Sequence, residues 1–145
     1  MPGKLKLQDR KTRTDFQLLA ELRAKEAAVL ARNGNEEGAH YLAGLAIECA
    51  LKACIAKKTK AEEFPHKGNS EKVYIHVLND LLQLAELADL LDRDMKTNTA
   101  LATNWNTVKG WNVESRYETT GLKGTDMLKA VNSQDGVLQW IKQHW

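Results

Sequence analysis

Apolar residues recur at helical spacing along nearly the whole chain, and nowhere in the strict alternation of a half-buried strand. From Thr14-Asp15, either of which can cap, Leu18, Leu19, Leu22, Val29 and Leu30 make one stripe, with Glu21, Arg23, Lys25 and Glu26 mostly outward. Asn33-Gly34 ends this helix, and Asn35 caps a second whose positive end Glu36 and Glu37 favour. So short a link makes the two helices an antiparallel pair. The second carries the most information. Fourteen of the eighteen residues from Ala39 to Ala56 are apolar, so other helices must wrap it. Its two charges, Glu48 and Lys52, stand four apart on one face, with the acid N-terminal to the base as attraction prefers.

A polar loop over residues 59–72, broken by Pro65 and Gly68, leads to a third helix expected from Val73 to Leu91. A fourth is expected from Thr97 to Gly110 on Leu101, Trp105 and Val108. A loop with Trp111, Ser115, Arg116 and Tyr117 follows. Thr125 then caps a fifth helix, which pauses over residues 132–136 and resumes with Val137, Ile141 and Trp145 on one face. Trp140 lies off that stripe and is expected at the surface, as a dimer or partner contact. Trp105 and Trp111 diverge by about 120° at the helical period, so at least one belongs to the core. The pattern predicts an all-α, up-and-down bundle of four to five helices.

Composition adds bounds. At 145 residues the chain suits one domain that buries about two-thirds of its unfolded surface. Its net charge of +2 does not indicate a nucleic-acid partner by itself. Charge is uneven, however. Residues 1–13 hold Lys4, Lys6, Arg10, Lys11 and Arg13 against Asp9 alone, which predicts a basic, flexible arm ahead of a domain over residues 14–145. Cys49 and Cys54, five apart on different sides of the second helix, can neither pair locally nor supply metal-ligand spacing. They read as buried free thiols in a reducing cytosol. No signal peptide is visible, and the 39–56 stretch reads as too short, too rich in Ala and too charged to span a bilayer. The expected setting is cytoplasmic, without membrane contact.

No phosphate-cradling glycine loop, HExxH or GxSxG occurs, and His40, His66, His76 and His144 lack metal-ligand spacing. Neither a metal nor a cofactor is expected. What remains is a polar set in apolar surroundings: Glu48 and Lys52 on the second helix, His76 at the start of the third, and Arg116 with Tyr117 after the fourth. In an up-and-down bundle these segments can converge at one end. An arginine beside a tyrosine sets a five-donor fork against an aromatic edge, suited to phosphate or carboxylate. Two readings stay open: a ligand cleft, or Arg116 neutralising Glu48 and tying a loop to the core. Tyr41 and Tyr117 both carry hydroxyls able to complete such a network.

The central run YLAGLAIECALKACIA (41–56) resembles the signature helix of HEPN domains, the helical modules named for higher eukaryotes and prokaryotes nucleotide-binding. The resemblance extends over residues 15–145. It takes in Arg32-Asn33-Gly34, His76 followed by DLLQLAEL (80–87), ALATNWNTVKGWNVESRYE (100–118) and AVNSQDGVLQWIKQHW (130–145). It implies a dimeric bundle of four or five helices with a polar cleft. It also implies company, either a nucleotidyltransferase-type partner in a toxin–antitoxin pair or an antiviral defence system. Many members of that family are metal-independent ribonucleases built on Arg, four to six residues, then His.

This chain departs from that motif. After Arg116 the required positions hold Gly121, Leu122 and Lys123; after Arg32 they hold Glu37, Gly38 and Ala39, with His40 one residue late. The acid–base imidazole is missing beside the arginine, so the family's cleavage mechanism does not transfer. The expected function is a homodimeric binding protein that holds a nucleotide, RNA or partner protein through Glu48, Lys52, His76, Arg116 and Tyr117. The alternatives are an endoribonuclease with a non-standard site, His76 and Arg116 being its catalytic pair, or a purely structural subunit.

Overall fold

A computed structural model describes residues 11–59 and 76–145. Most of the basic arm (1–10), most of the long loop and the expected start of the third helix (73–75) lie outside the described residues, as does His66. Among the described residues there are seven α-helices and no strand: α1 (Arg13–Arg32), α2 (Glu36–Lys57), α3 (Leu78–Leu84), α4 (Ala88–Thr97), α5 (Thr99–Val108), α6 (Gly124–Asn132) and α7 (Val137–Lys142). A 3-10 turn at Val113–Tyr117 separates α5 from α6. The architecture is the expected all-α bundle.

Helix α1 starts earlier than expected, inside the segment read as an arm. Thr12 caps it in a reciprocal box: its hydroxyl accepts from the Asp15 N–H at 3.2 Å, while the Asp15 carboxylate accepts from the Thr12 N–H at 2.9 Å. That backbone hydrogen bond holds the Asp15 carboxyl below its ordinary range. The opening of α1 is also tied to the far end of the chain, where the Trp145 carbonyl accepts from Arg13 Nη2 at 2.5 Å. Two bonds close the helix in a Schellman motif, Asn35 N–H to Leu30 O at 2.9 Å and Gly34 N–H to Ala31 O at 3.1 Å. Gly34 takes the left-handed position at φ 78°. Asn35 stands at the N-cap of α2, but its side chain makes no capping bond there, contrary to expectation. Glu36 instead reaches across the bundle, its carboxylate accepting from the Thr125 hydroxyl at 2.8 Å.

The buried face of α1 is not the leucine stripe. Phe16, Ala20, Ala24 and Ala27 face inward, whereas Leu18, Leu22 and Val29 are exposed. Both sets have helical period, and packing selects the small one. Alanines on α1 and the Ala43, Ala46 and Ala50 series on α2 share one core, and small side chains let two helix backbones approach closely.

Every residue of α2 from Ala46 to Ala56 is buried, against α1, α3, α6, α7 and the 3-10 turn. At 22 residues, α2 is long and apolar enough to cross a membrane by length and composition, contrary to the sequence reading. Its surroundings assign it otherwise: 78% of its most apolar window lies inside the bundle, as a core helix does.

The expected third helix is two. After α3 the chain turns at Ala85–Leu87 in a second Schellman motif, with Leu87 N–H to Leu82 O at 3.1 Å and Glu86 N–H to Gln83 O at 2.9 Å. Here Glu86, not glycine, holds the left-handed position at φ 60°. Helix α5 buries Leu101, Trp105 and Val108 as its pattern predicts. The expected pause between α6 and α7 is present. Trp140 is a correction: it is 5% exposed, and its indole N–H donates to Asp94 Oδ2 at 2.9 Å. That bond joins α7 to α4 and lowers the Asp94 carboxyl below its usual range.

Candidate functional site

Two polar clusters arise on α2, about two helical turns apart. The inner one starts from Glu48 and Lys52, whose spacing of four stacks them on the same side of the helix. They are 4% and 2% exposed, and Lys52 Nζ stands 3.3 Å from Glu48 Oε2. The other carboxylate oxygen, Oε1, lies 2.6 Å from His76 Nδ1. His76 sits two residues ahead of α3, so the start of that helix delivers its ring to α2. A buried carboxylate is thus matched by an ammonium on one oxygen and an imidazole on the other. Solvation that water no longer supplies comes from those two donors.

This contact also fixes what His76 can do. A carboxylate only accepts, so it selects the tautomer with hydrogen on Nδ1 and leaves the Nε2 lone pair available. The His76 side chain is 41% exposed, and Nε2 makes no hydrogen bond among the described residues. An imidazole oriented by a buried carboxylate has the geometry of a general base. The thiols nearby do not act as nucleophiles. Burial, helped by the Glu48 charge, pushes the Cys49 thiol up to about 12, and burial pushes the Cys54 thiol up to about 11, so both stay protonated at neutral pH.

The outer cluster lies toward the N-terminal half of α2. Trp111 is laid over Gly44, where an added Cβ would come within 2.0 Å of the indole Cδ1. It stacks on Tyr41 at 5.9 Å between ring centroids. The 3-10 turn then carries Arg116 outward. Its guanidinium lies 4.9 Å from the centroid of the Tyr117 ring, and the Tyr117 and Tyr41 phenols beside it raise its pKa further. Arg116 and Tyr117 are both exposed. No carboxylate among the described residues pairs with Arg116.

The structure therefore brings Glu48, Lys52 and His76 together and sets Arg116 and Tyr117 apart. The expected convergence of all five at one end of the bundle is not what is seen. Tyr41 is seven residues from Glu48, about 10 Å along the axis at 1.5 Å per residue. Trp111 occupies the turn between them. Two features with no clear sequence signal contribute: the Gly44 shelf that seats Trp111, and the left-handed Glu86 beside the end of α2. Among the described residues no three His, Cys, Asp or Glu side chains come together as metal ligands.

Compared with known protein families, curated proteins and solved structures, the chain matches none of them.

Proposed function

We propose that this chain is a HEPN-like binding protein, a homodimeric component of a bacterial toxin–antitoxin or antiviral defence system, which holds a phosphate-bearing nucleotide or RNA at Arg116. The sequence resemblance suggests the family, and the free buried thiols with no visible signal peptide suggest the cytoplasmic setting. The observation that carries the binding role is the exposed guanidinium lying over Tyr117, which no carboxylate among the described residues pairs. An exposed guanidinium suits a phosphate through the donors that the Tyr41 and Tyr117 phenols do not take, and the Tyr117 ring, 68% exposed, offers a stacking face for a base. The uncovered stripe of Leu18, Leu22 and Val29 on α1 supports the homodimer, since a second copy would remove it from water.

A second reading, a metal-independent endoribonuclease with a non-standard site, is favoured by the 2.6 Å contact between Glu48 and His76. One experiment separates the two. A labelled single-stranded RNA is incubated with the parent protein, Arg116→Ala and His76→Ala, and retention and chain length are scored together. The binding reading expects intact RNA and a loss of affinity of about tenfold or more in Arg116→Ala alone, the worth of one charge-assisted contact. Cleavage that His76→Ala abolishes would establish the second reading instead. Equal retention by the parent and Arg116→Ala would leave the arginine without its role and the bundle as a structural subunit.

A further inference from the structure

His76 differs from the other described histidines and the cysteines in how its reactive atom is held. Its Nδ1 lies 2.6 Å from Glu48 Oε1. That carboxylate is fixed in turn, buried on α2 with its second oxygen 3.3 Å from the Lys52 ammonium. The imidazole therefore keeps its hydrogen on Nδ1 and leaves the lone pair on Nε2, across the ring from the acid.

That lone pair is open to solvent. Among the described histidines, His40 and His144 each carry a ring nitrogen that is buried without a partner, and no carboxylate bonds either ring. His76 Nε2 also lacks a partner among the described residues, but it is not buried, and the side chain is 41% exposed. The two cysteines offer no competing nucleophile, because burial keeps both thiols protonated.

The surroundings of the ring narrow its chemistry. Its described contacts end at Glu48, and Lys52 is buried with its ammonium turned to that same carboxylate. They supply neither an acid to protonate a leaving group nor donors to hold an oxyanion. Acyl transfer and RNA cleavage depend on such groups. Phosphoryl transfer from a donor that departs as a stable carboxylate does not. Its transition state is loose, its charge lies on oxygens that water can solvate, and the protein has little to provide beyond a placed nucleophile.

We propose that His76 accepts a phosphoryl group at Nε2 from a small acyl phosphate. The Nε2 lone pair forms the nitrogen–phosphorus bond as the bond from phosphorus to the acyl oxygen breaks, and that electron pair leaves with the carboxylate. No proton is transferred. The Nδ1 hydrogen stays between the ring and Glu48, and the buried acid meets the positive charge that the imidazole gains. Glu48 is thus a positioning residue, and Lys52 holds it in place. This activity goes beyond nucleotide or RNA binding and does not involve Arg116.

Incubation of the parent protein with acetyl phosphate at about pH 8, where a free imidazole is neutral, tests this. Intact mass and peptide fragmentation score the phosphoryl groups and their positions. The expected product carries one phosphoryl group, on His76, which mild acid removes and alkali does not. His76→Ala should carry none. Glu48→Gln keeps the acceptor oxygen and the shape without the charge, and should be labelled about tenfold more slowly, the equivalent of one pKa unit of imidazolium stabilisation. The parent unfolded in urea should lose the advantage of His76 over His40, His66 and His144, a comparison that needs no variant to fold. Arg116→Ala should be labelled as the parent is, so a failure of RNA binding there and a failure here are separate results. A folded parent that takes up no phosphoryl group overturns the proposal. So does label on another histidine at the rate of His76, an advantage of His76 that persists in urea, loss of label in Arg116→Ala, or a folded Glu48→Gln labelled at the parent's rate.

Discussion

The two ends of α2 solve similar packing problems with opposite residue choices. Before the helix begins, the chain reverses through a Schellman motif whose left-handed residue is Gly34, where the absent Cβ removes the usual penalty. Beside its last turn the same motif recurs with Glu86, for which that backbone costs about 1–2 kcal/mol. The helix body repeats the contrast. Its first half makes room for Trp111 by having no side chain at Gly44. Its second half buries a carboxylate and an ammonium where apolar residues of similar volume would serve stability as well or better. At the entry, each tight place holds the residue that packing alone would choose. At the exit, residues that work against stability persist, and they are the ones that orient His76 and position Lys58. Departures from local physical preference therefore concentrate in the second half of α2 and beside its end, away from the exposed arginine.

The largest test of that contrast is Glu48→Ala. It removes the carboxylate that Lys52 and His76 share inside the core, and breaking a buried ionic contact of this kind costs about 3–5 kcal/mol. Urea unfolding should show the loss as a lower midpoint with an unchanged slope. A loss below about 1 kcal/mol would place the pair in solvent-like surroundings and remove the physical basis of the inner cluster.

Gly44→Ala breaks the other end, by overpacking. The new methyl would come within 2.0 Å of the Trp111 ring, so the indole must leave its seat on α2. Forced repacking in a core costs about 1–3 kcal/mol. Because Trp111 also stacks on Tyr41, the near-ultraviolet dichroism of the aromatic residues should change with it. A variant with unaltered stability and spectrum would show that Trp111 has another resting place. The stacking that separates Arg116 from Glu48 would then lose its significance.

How much of this was legible in the sequence follows from the same contrast. The central helix announced itself as an apolar run that must be covered on all sides, although only its surroundings show that other helices of the bundle do the covering. The Glu48–Lys52 pair was legible from spacing alone. Contacts set by tertiary packing were not. Leu18, Leu22 and Val29 have the same period as Phe16, Ala20, Ala24 and Ala27, and only the close approach of two alanine-rich helices decides which set turns inward. Trp140 lies off its helix's stripe yet is buried, because Asp94 on α4 provides an acceptor for its indole. The break after Leu84 carries neither glycine nor proline, so no local signal marked it. Arg116 sits on a 3-10 turn that starts just after the seated Trp111, a matter of shape that hydrophobic periodicity does not encode.

The smallest expected effect is also the sharpest, because its sign separates the two ends. Glu86→Gly places at the exit the residue found at the entry. It relieves the left-handed backbone, a gain of about 1 kcal/mol by the cost of a Cβ in that region. It also removes the Lys58 contact, in which the side chains are 45% and 74% exposed, and such pairs contribute about 0–1 kcal/mol. A glycine also loses more freedom on folding, which offsets part of the gain. The expected net is a stabilisation of a few tenths of a kcal/mol, read as a small upward shift of the unfolding midpoint. A clear destabilisation would mean that Glu86 is kept for the fold itself, through an ion pair stronger than its exposure suggests. The two ends of α2 would then differ in composition without differing in purpose.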